Sequence, residues 1–239
     1  MFQIELAGLQ IRIDNRFDHV REICRGYLAA GQAPADVAVS VTPEELRLEK
    51  EKTPDLLVGD EEAESVLICE KIGDALPAFD AFVLHASAVK AEGKAYCFAA
   101  GCGTGKSTHT RYWRQVLGDR VTVINGDKPV CRFQGDRLLV FGTPWCGKEN
   151  WQENTSAPLA ALCLLEQGED NRISPVNPGD VLGEVVRHVH LPGGSGGDML
   201  RLMELVDRMA ALVPFYRLRC RNDRSAAEAA AAYFGLSKE

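Results

Sequence analysis

Residues 2–13 and 36–41 alternate or cluster β-forming residues, and residues 17–28 between them fit a short helix. Thr42-Pro43-Glu44-Glu45 has the chemistry of a helix start: a capping residue, a proline at the first position and a carboxylate three after the cap. Leu46 and Leu48 nevertheless alternate as in a strand, so the pattern leaves both states open there. A helix follows near 61–75. Residues 1–80 therefore read as a small α+β subdomain and residues 81–239 as a second unit.

From Ala81 the periodicity sharpens. Residues 82–89 and 94–100 read as two strands joined by a turn at Glu92-Gly93. A glycine-rich loop comes next, then a helix from Lys106 to about Leu117 whose apolar stripe is His109, Tyr112, Trp113, Val116 and Leu117. Gly118-Asp119 ends it, and residues 121–124 form a short buried strand. Further strands are expected at 128–133, 137–141 and 159–165, and a helix near 179–189. Beyond the glycine-rich run 192–197, an amphipathic helix sets Met199, Leu202, Met203, Val206, Met209 and Ala210 at helical spacing. A strand over 215–220 precedes a final Ala-rich helix opened by the capping box Ser225-Ala226-Ala227-Glu228.

Composition narrows the classes of function. The chain has 239 residues, 46% hydrophobic and 26% charged, the balance of a domain that buries a core and not of a disordered or fibrous protein. The net charge is −7, and the window 44–70 alone holds ten acids and three bases, so it reads as a solvated face and the remainder is close to neutral. Without a broad basic surface, nucleic acid is not an expected partner. No uncharged apolar stretch reaches the length of a membrane span, and the N-terminus lacks the basic and apolar regions of a signal peptide. A cytoplasmic protein without a membrane partner is expected. The eight cysteines include no C-x-x-C pair, and several lie in apolar runs such as Tyr96-Cys97-Phe98, where a thiol packs as a small hydrophobe.

Ala100-Gly101-Cys102-Gly103-Thr104-Gly105-Lys106-Ser107 matches the Walker A pattern everywhere but its first place, where Ala replaces Gly. It follows an expected strand and opens an expected helix, the context such a loop needs. Glycines let successive N–H groups turn inward onto phosphate oxygens, and the helix aims its positive end at them. Gly101, Cys102, Gly103, Thr104, Gly105, Lys106, Ser107 and Thr108 are thus the candidate nucleotide-binding residues. Lys106 would reach the β and γ phosphates, and the Ser107 hydroxyl would ligate Mg²⁺. Asp127 follows the 121–124 strand. A helix returning the chain along a neighbouring strand would bring this residue close to the phosphates, as metal ligand or catalytic base.

Leu84-His85-Ala86, the loop Gly103-Thr104-Gly105-Lys106-Ser107-Thr108-His109-Thr110, and Ile124-Asn125-Gly126-Asp127-Lys128-Pro129 together resemble the HPr kinase/phosphorylase-like proteins, which group with the phosphoenolpyruvate carboxykinases. The resemblance covers roughly residues 80–170 and leaves out the first 80. It implies an α/β P-loop domain with a mixed sheet, of the HPr kinase/phosphoenolpyruvate carboxykinase type. The implied activity is transfer of a nucleotide γ-phosphate to a hydroxyl. It also implies that His85 lies at the active site. Where such proteins carry two adjacent acids this chain has Gly126-Asp127, so Asp127 would serve both metal and base, or share those roles with His85. No stretch for binding a protein substrate of that kind is evident.

Residues 142–154 make a long polar segment with two tryptophans, of the kind often functional in compact domains. Lys148 there would neutralise charge on the transferring phosphoryl group. Trp145 or Trp151 would wall an acceptor pocket, or anchor the loop. Lys128 is a weaker phosphate candidate, and Arg111 a solvated helix residue. The expectation is a kinase using ATP or GTP with Mg²⁺, its catalytic residues Asp127, His85, Lys106 and Lys148. Its acceptor would be a hydroxyl-bearing small molecule or peptide. A phosphoenolpyruvate carboxykinase-type reaction and a non-catalytic nucleotide-binding module are the alternatives. Oligomeric state is left open.

Overall fold

Hairpin strands β1 (Phe2–Leu6) and β2 (Leu9–Asp14), with β3 (Val37–Ser40) parallel to β2, form a three-stranded sheet at the N-terminus of the computed structural model. The model describes residues 1–236 apart from 32, 53–58, 102 and 195. One face of this sheet is covered by α1 (Asp18–Ile23), a 3₁₀ turn over Arg25–Tyr27 and α3 (Asp60–Ala75), with Ile4, Ile11, Ile13, Val20, Ile68 and Ile72 at the centre of one apolar cluster. That cluster runs on into Ala81, Val83 and Val130, so the first 80 residues pack directly on an edge of the larger sheet. The segment left open by periodicity is helical: α2 spans Pro43–Lys52. The Thr42 N–H donates to Glu45 Oε2 at 2.8 Å and the Glu45 N–H donates to Thr42 Oγ1 at 3.3 Å, a reciprocal cap that outweighs the alternation of buried Leu46 and exposed Leu48.

The remaining strands are β4 (Ala81–Val83), β5 (Ala86–Ala91), β6 (Lys94–Ala99), β7 (Val121–Asn125), β8 (Val130–Gln134), β9 (Arg137–Phe141), β10 (Ser156–Gln167), β11 (Arg172–Val176) and β12 (Phe215–Cys220). They build a mixed sheet in the order β4-β8-β9-β10-β6-β5-β7, with β12 parallel to β10 and β11 beyond it. Helices lie on both faces, and the side-chain alternation shows it. In β6, Ala95, Cys97 and Ala99 face the cluster completed by α5 (Pro178–Val186) and α6 (Gly196–Leu212). Tyr96 and Phe98 face the opposite cluster, closed by α4 (Lys106–Leu117) and α7 (Arg224–Tyr233). An α/β fold with a mixed sheet is what the sequence led us to expect.

Three differences from the sequence reading shape the site. First, β7 does not neighbour β6, because β5 lies between them and runs antiparallel to both. The C-terminal ends of β6 and β7 and the N-terminal end of β5 nonetheless share one edge, so the loop after β6, His85 and Asp127 still converge. Second, β4 and β5 follow one another along β8 and β7 as one ribbon interrupted in the middle. Across the gap, Leu84 N–H donates to Pro129 O and Ala86 N–H to Asp127 O, each at 3.0 Å. Third, α5 stops at Val186, short of the expected 189. The chain then runs along residues 83–85, with His85 N–H donating to His188 O at 2.6 Å and His190 N–H to Val83 O at 3.0 Å. Among the described residues no helix is long and apolar enough to cross a membrane, and the seven described cysteines are free.

Candidate active site

The loop after β6 turns on glycines. Gly103 has φ +75° and Gly105, the residue before α4, has φ +114°, a conformation that a Cβ would strain. No side chain caps the N-terminus of α4, so its first N–H groups stay available at the positive end of the helix. Thr104 N–H donates to Gly101 O at 3.3 Å and curls the loop, while Lys106 Nζ donates to Ala100 O at 2.9 Å, folding the ammonium back over the turn. Ser107 and Thr108 line the same concavity. Cys102, also expected in the loop, lies outside the described residues.

Packing fixes the helix that carries this loop. Thr110 is fully buried, with its hydroxyl against Ser87 of β5 and donating to Lys106 O at 3.0 Å. His109 is buried against Phe98, edge-on at 4.7 Å between ring centroids, and its Nε2 accepts from Trp113 Nε1 at 2.9 Å. Burial pushes its imidazole down to about 3, so this histidine is a neutral core residue.

A cleft of about 440 Å³ opens in front of the loop, lined by Gly103, Lys106 and Ser107 on one side and by His85, Asp127 and Lys148 on the other. Asp127 is three-quarters buried at its centre. One carboxylate oxygen receives His85 Nε2 at 3.0 Å and the other Lys128 Nζ at 2.6 Å. Burial alone would raise this carboxyl, but the hydrogen bonds and charge of His85 and Lys128 outweigh it and hold the group well below the usual carboxylate range. Lys128 is raised in turn: Asp127 favours its ammonium more than burial opposes it.

What holds Asp127 is a residue that motif reading passed over. Asn125 is fully buried at the end of β7, and its Oδ1 accepts from the N–H groups of Asp127 at 2.8 Å and Lys128 at 2.7 Å. Its Nδ2 reaches across to the long loop, donating to Thr143 O and Thr143 Oγ1 at 3.0 Å and to Trp145 O at 3.3 Å. Gly126 lies beneath the same loop. Its N–H donates to Trp151 O at 2.9 Å, and a Cβ there would come within 2.7 Å of Cys146 O. A side chain at 126 would force the backbone of that loop to shift, so a second acid beside Asp127 would come at a cost in packing.

The other candidates separate. Lys148 is exposed on the rim of the cleft. Trp145 turns the opposite way, its Nε1 donating to Ser65 O and Oγ at 3.1 Å, and walls a second cavity. Trp151 is an anchor: it packs under Arg111 and Arg114 of α4, with guanidinium carbons 5.9 and 5.1 Å from the ring centroid. Arg111 is thus stacked and not simply solvated. His188, absent from the expected set, is brought beside His85 by the 188–190 strap. Burial first, then proximity to His85, Lys106 and Arg187, lowers its pKa. Its one sequence signal was the period-two pattern His188-Val189-His190, which fits an extended strap better than a helix end.

Neither a family model nor a curated protein matches this sequence. Among solved structures, the fold overlays in part on the HPr(Ser) kinase/phosphatase from Coxiella burnetii, with a TM-score of 0.34 and 8% identity over 64% of this chain and 98% of that one. An overlap of that degree carries no argument about activity or residue roles, which rest on this chain's own geometry.

Proposed function

We propose that this chain is a nucleotide-dependent phosphotransferase, moving the γ-phosphate of ATP or GTP onto a hydroxyl. The observation that carries the reading is the His85–Asp127 pair, 3.0 Å apart, facing a glycine-rich loop and its lysine across one cleft. In this proposal the open N–H groups at the start of α4 hold the phosphates, and Lys106 swings from Ala100 O onto the β and γ oxygens. With Nε2–H committed to Asp127, His85 Nδ1 takes the proton of the acceptor hydroxyl. That oxygen bonds to the γ phosphorus as the bridge to the β phosphate breaks, and the nucleoside diphosphate leaves. Asp127, far more acidic than an ordinary carboxyl, is better suited to orienting His85 and meeting a cation than to accepting a proton. Lys148 at the rim would meet charge developing on the moving group.

Ser107 and Asp127 would hold Mg²⁺. Among the described residues no cluster of three His, Cys, Asp or Glu side chains forms a metal cage. One hydroxyl and one carboxylate fit an ion that takes its remaining oxygens from phosphates and water. Bound there, it would supply charge neutralisation at the phosphates.

Gly126 beside Asp127, where a second acid would otherwise stand, also favours a second reading, a module that binds nucleotide without transfer. Incubating the protein with γ-labelled nucleotide and cell extract separates the two, comparing wild type with Lys106→Ala and Asp127→Asn. Labelled product that disappears in both variants supports the kinase. Tight nucleotide binding with no labelled product supports the module, and equal labelling by all three proteins overturns the kinase.

A further inference from the structure

His85 faces two cavities. Besides the loop cleft, it lines a second one of about 340 Å³ on the far side of the Asp127–Lys128 pair, between α3 and the strap 187–191. The walls are largely apolar: Val66 on α3, Val83, Trp145, and Val189 and Leu191 on the strap. An acceptor seated there would present its hydroxyl to His85 from the side opposite the triphosphate, as an in-line displacement requires.

The charges in this second cavity are arranged in a particular way. Lys128 is spoken for by Asp127 and His190 by Asp74, at 2.6 and 2.8 Å. Two charged groups remain. Arg187, exposed on the strap, and Glu70, exposed on α3, make no ion pair with any described residue, nor with each other across the cavity. Arg187 offers a planar fork suited to a carboxylate, and Glu70, the cavity's one lining acid, offers an acceptor suited to an ammonium. A cation and an anion exposed on facing walls with no ion-pair partner, and with apolar surface between, complement a zwitterion.

We propose that the phosphoryl acceptor is a free α-amino acid bearing a side-chain hydroxyl, its carboxylate on Arg187 and its ammonium on Glu70. The inference rests on the phosphotransferase reading and deepens it. The enclosing helix and strap favour such a small molecule over a folded protein or an internal residue of a peptide, whose backbone nitrogen and carbonyl carry no charge.

The test is a panel of acceptors with γ-labelled ATP or GTP and Mg²⁺: serine, threonine, homoserine and tyrosine, then glycerate, ethanolamine and an end-blocked serine peptide. Label is expected on one or more of the amino acids and not on the last three, which lack the ammonium, the carboxylate or both. Arg187→Ala and Glu70→Gln should each raise the KM for that amino acid about tenfold or more, the loss of one charge-assisted contact. Nucleotide affinity by calorimetry should stay within about twofold, since neither residue lines the loop cleft. Labelling of glycerate or the blocked peptide as fast as the amino acids, or unchanged KM in both variants, overturns the inference. If extract is labelled in a Lys106-dependent way while no amino acid accepts, this inference fails and the kinase stands. If nothing is labelled anywhere, both fall.

Discussion

The carbonyl oxygen of Cys146 closes the space above Gly126, 2.7 Å from where a Cβ would sit, with Trp151 O at 3.4 Å. Both oxygens belong to backbone, so neither can swing aside as a flexible side chain would. Gly126→Ala should therefore lower stability by about 1–3 kcal/mol, the cost of overpacking a closed site. Gly126→Asp, which restores an adjacent pair of acids, should cost at least as much and leave Mg²⁺ affinity no higher. Urea unfolding and Mg²⁺ titration of nucleotide binding measure the two. A stable, tighter-binding Gly126→Asp protein would show that the loop over residues 145–151 yields.

Asn125 ties the end of β7 to that loop from the other side. Asn125→Ala removes a fully buried side chain and leaves Thr143 O and the N–H groups of Asp127 and Lys128 without the partner it supplies, while Trp145 O keeps only Thr143 Oγ1. The expected loss is about 3 kcal/mol, from several buried groups at once. Asn125→Asp keeps the acceptor toward residues 127 and 128 but turns an oxygen on the two carbonyls, so it should be no better than alanine. Chemical denaturation of the pair decides it, and wild-type stability in Asn125→Asp would mean the loop is held by other contacts.

Acid should weaken the fold through His109. Its imidazole is depressed from 6.5 to about 3 by burial. Between those values the unfolded chain binds a proton that the folded chain does not, so stability rises with pH and is lost as pH falls below 6.5. The slope from this one group approaches about 1.4 kcal/mol per pH unit. His109→Gln keeps an acceptor for Trp113 Nε1 and cannot take that proton. Its stability should fall less steeply between pH 6 and about 4, where ordinary carboxylates also begin to titrate. Equal slopes in the two proteins would mean that the site is hydrated or opens readily.

The loop after β6 was legible because its chemistry is local: strand, glycines, lysine and hydroxyl occupy one continuous run, and the helix that follows shows its stripe. Asp127 was legible for a related reason, as the neighbour of a strand end, whereas His85 was implied only by the family resemblance and read as part of a continuous strand. Asn125 stood in the stretch that carries the resemblance but drew no role of its own, since that role depends on Thr143 and Trp145 folding back over it, which no local period encodes. His188 and Arg187 were hidden by an expected helix running to 189. That helix in fact stops at Val186: the N–H groups of His188 and Val189 close a tighter turn onto Val185 O and Val186 O, and from there His188 O and His190 N–H pair with His85 and Val83. The strand at β5 was expected but its place between β6 and β7 was not, since strand order is set by pairing between distant segments. Trp151 was one of two candidates by residue type alone. Only the position of α4 shows that it anchors the loop while Trp145 faces a cavity.

The division of labour between His85 and Asp127 can be read kinetically. His85→Gln retains a side-chain N–H for Asp127 but no basic nitrogen for the acceptor proton. Transfer should therefore slow by about 100- to 10,000-fold while nucleotide affinity is nearly unchanged. Lys106→Ala removes the ammonium that meets the phosphates, so it should weaken triphosphate binding and transfer together. Asp127→Asn loses the carboxylate that accepts from His85 and pairs with Lys128, and with it the anionic ligand for Mg²⁺. Its defect should then appear both in kcat and in the Mg²⁺ concentration needed for half-maximal rate. Steady-state kinetics over a Mg²⁺ series measures all three. A His85→Gln enzyme with near-normal kcat, beside an inactive Asp127→Asn, would reassign the proton to the carboxylate and leave the histidine as its positioning partner.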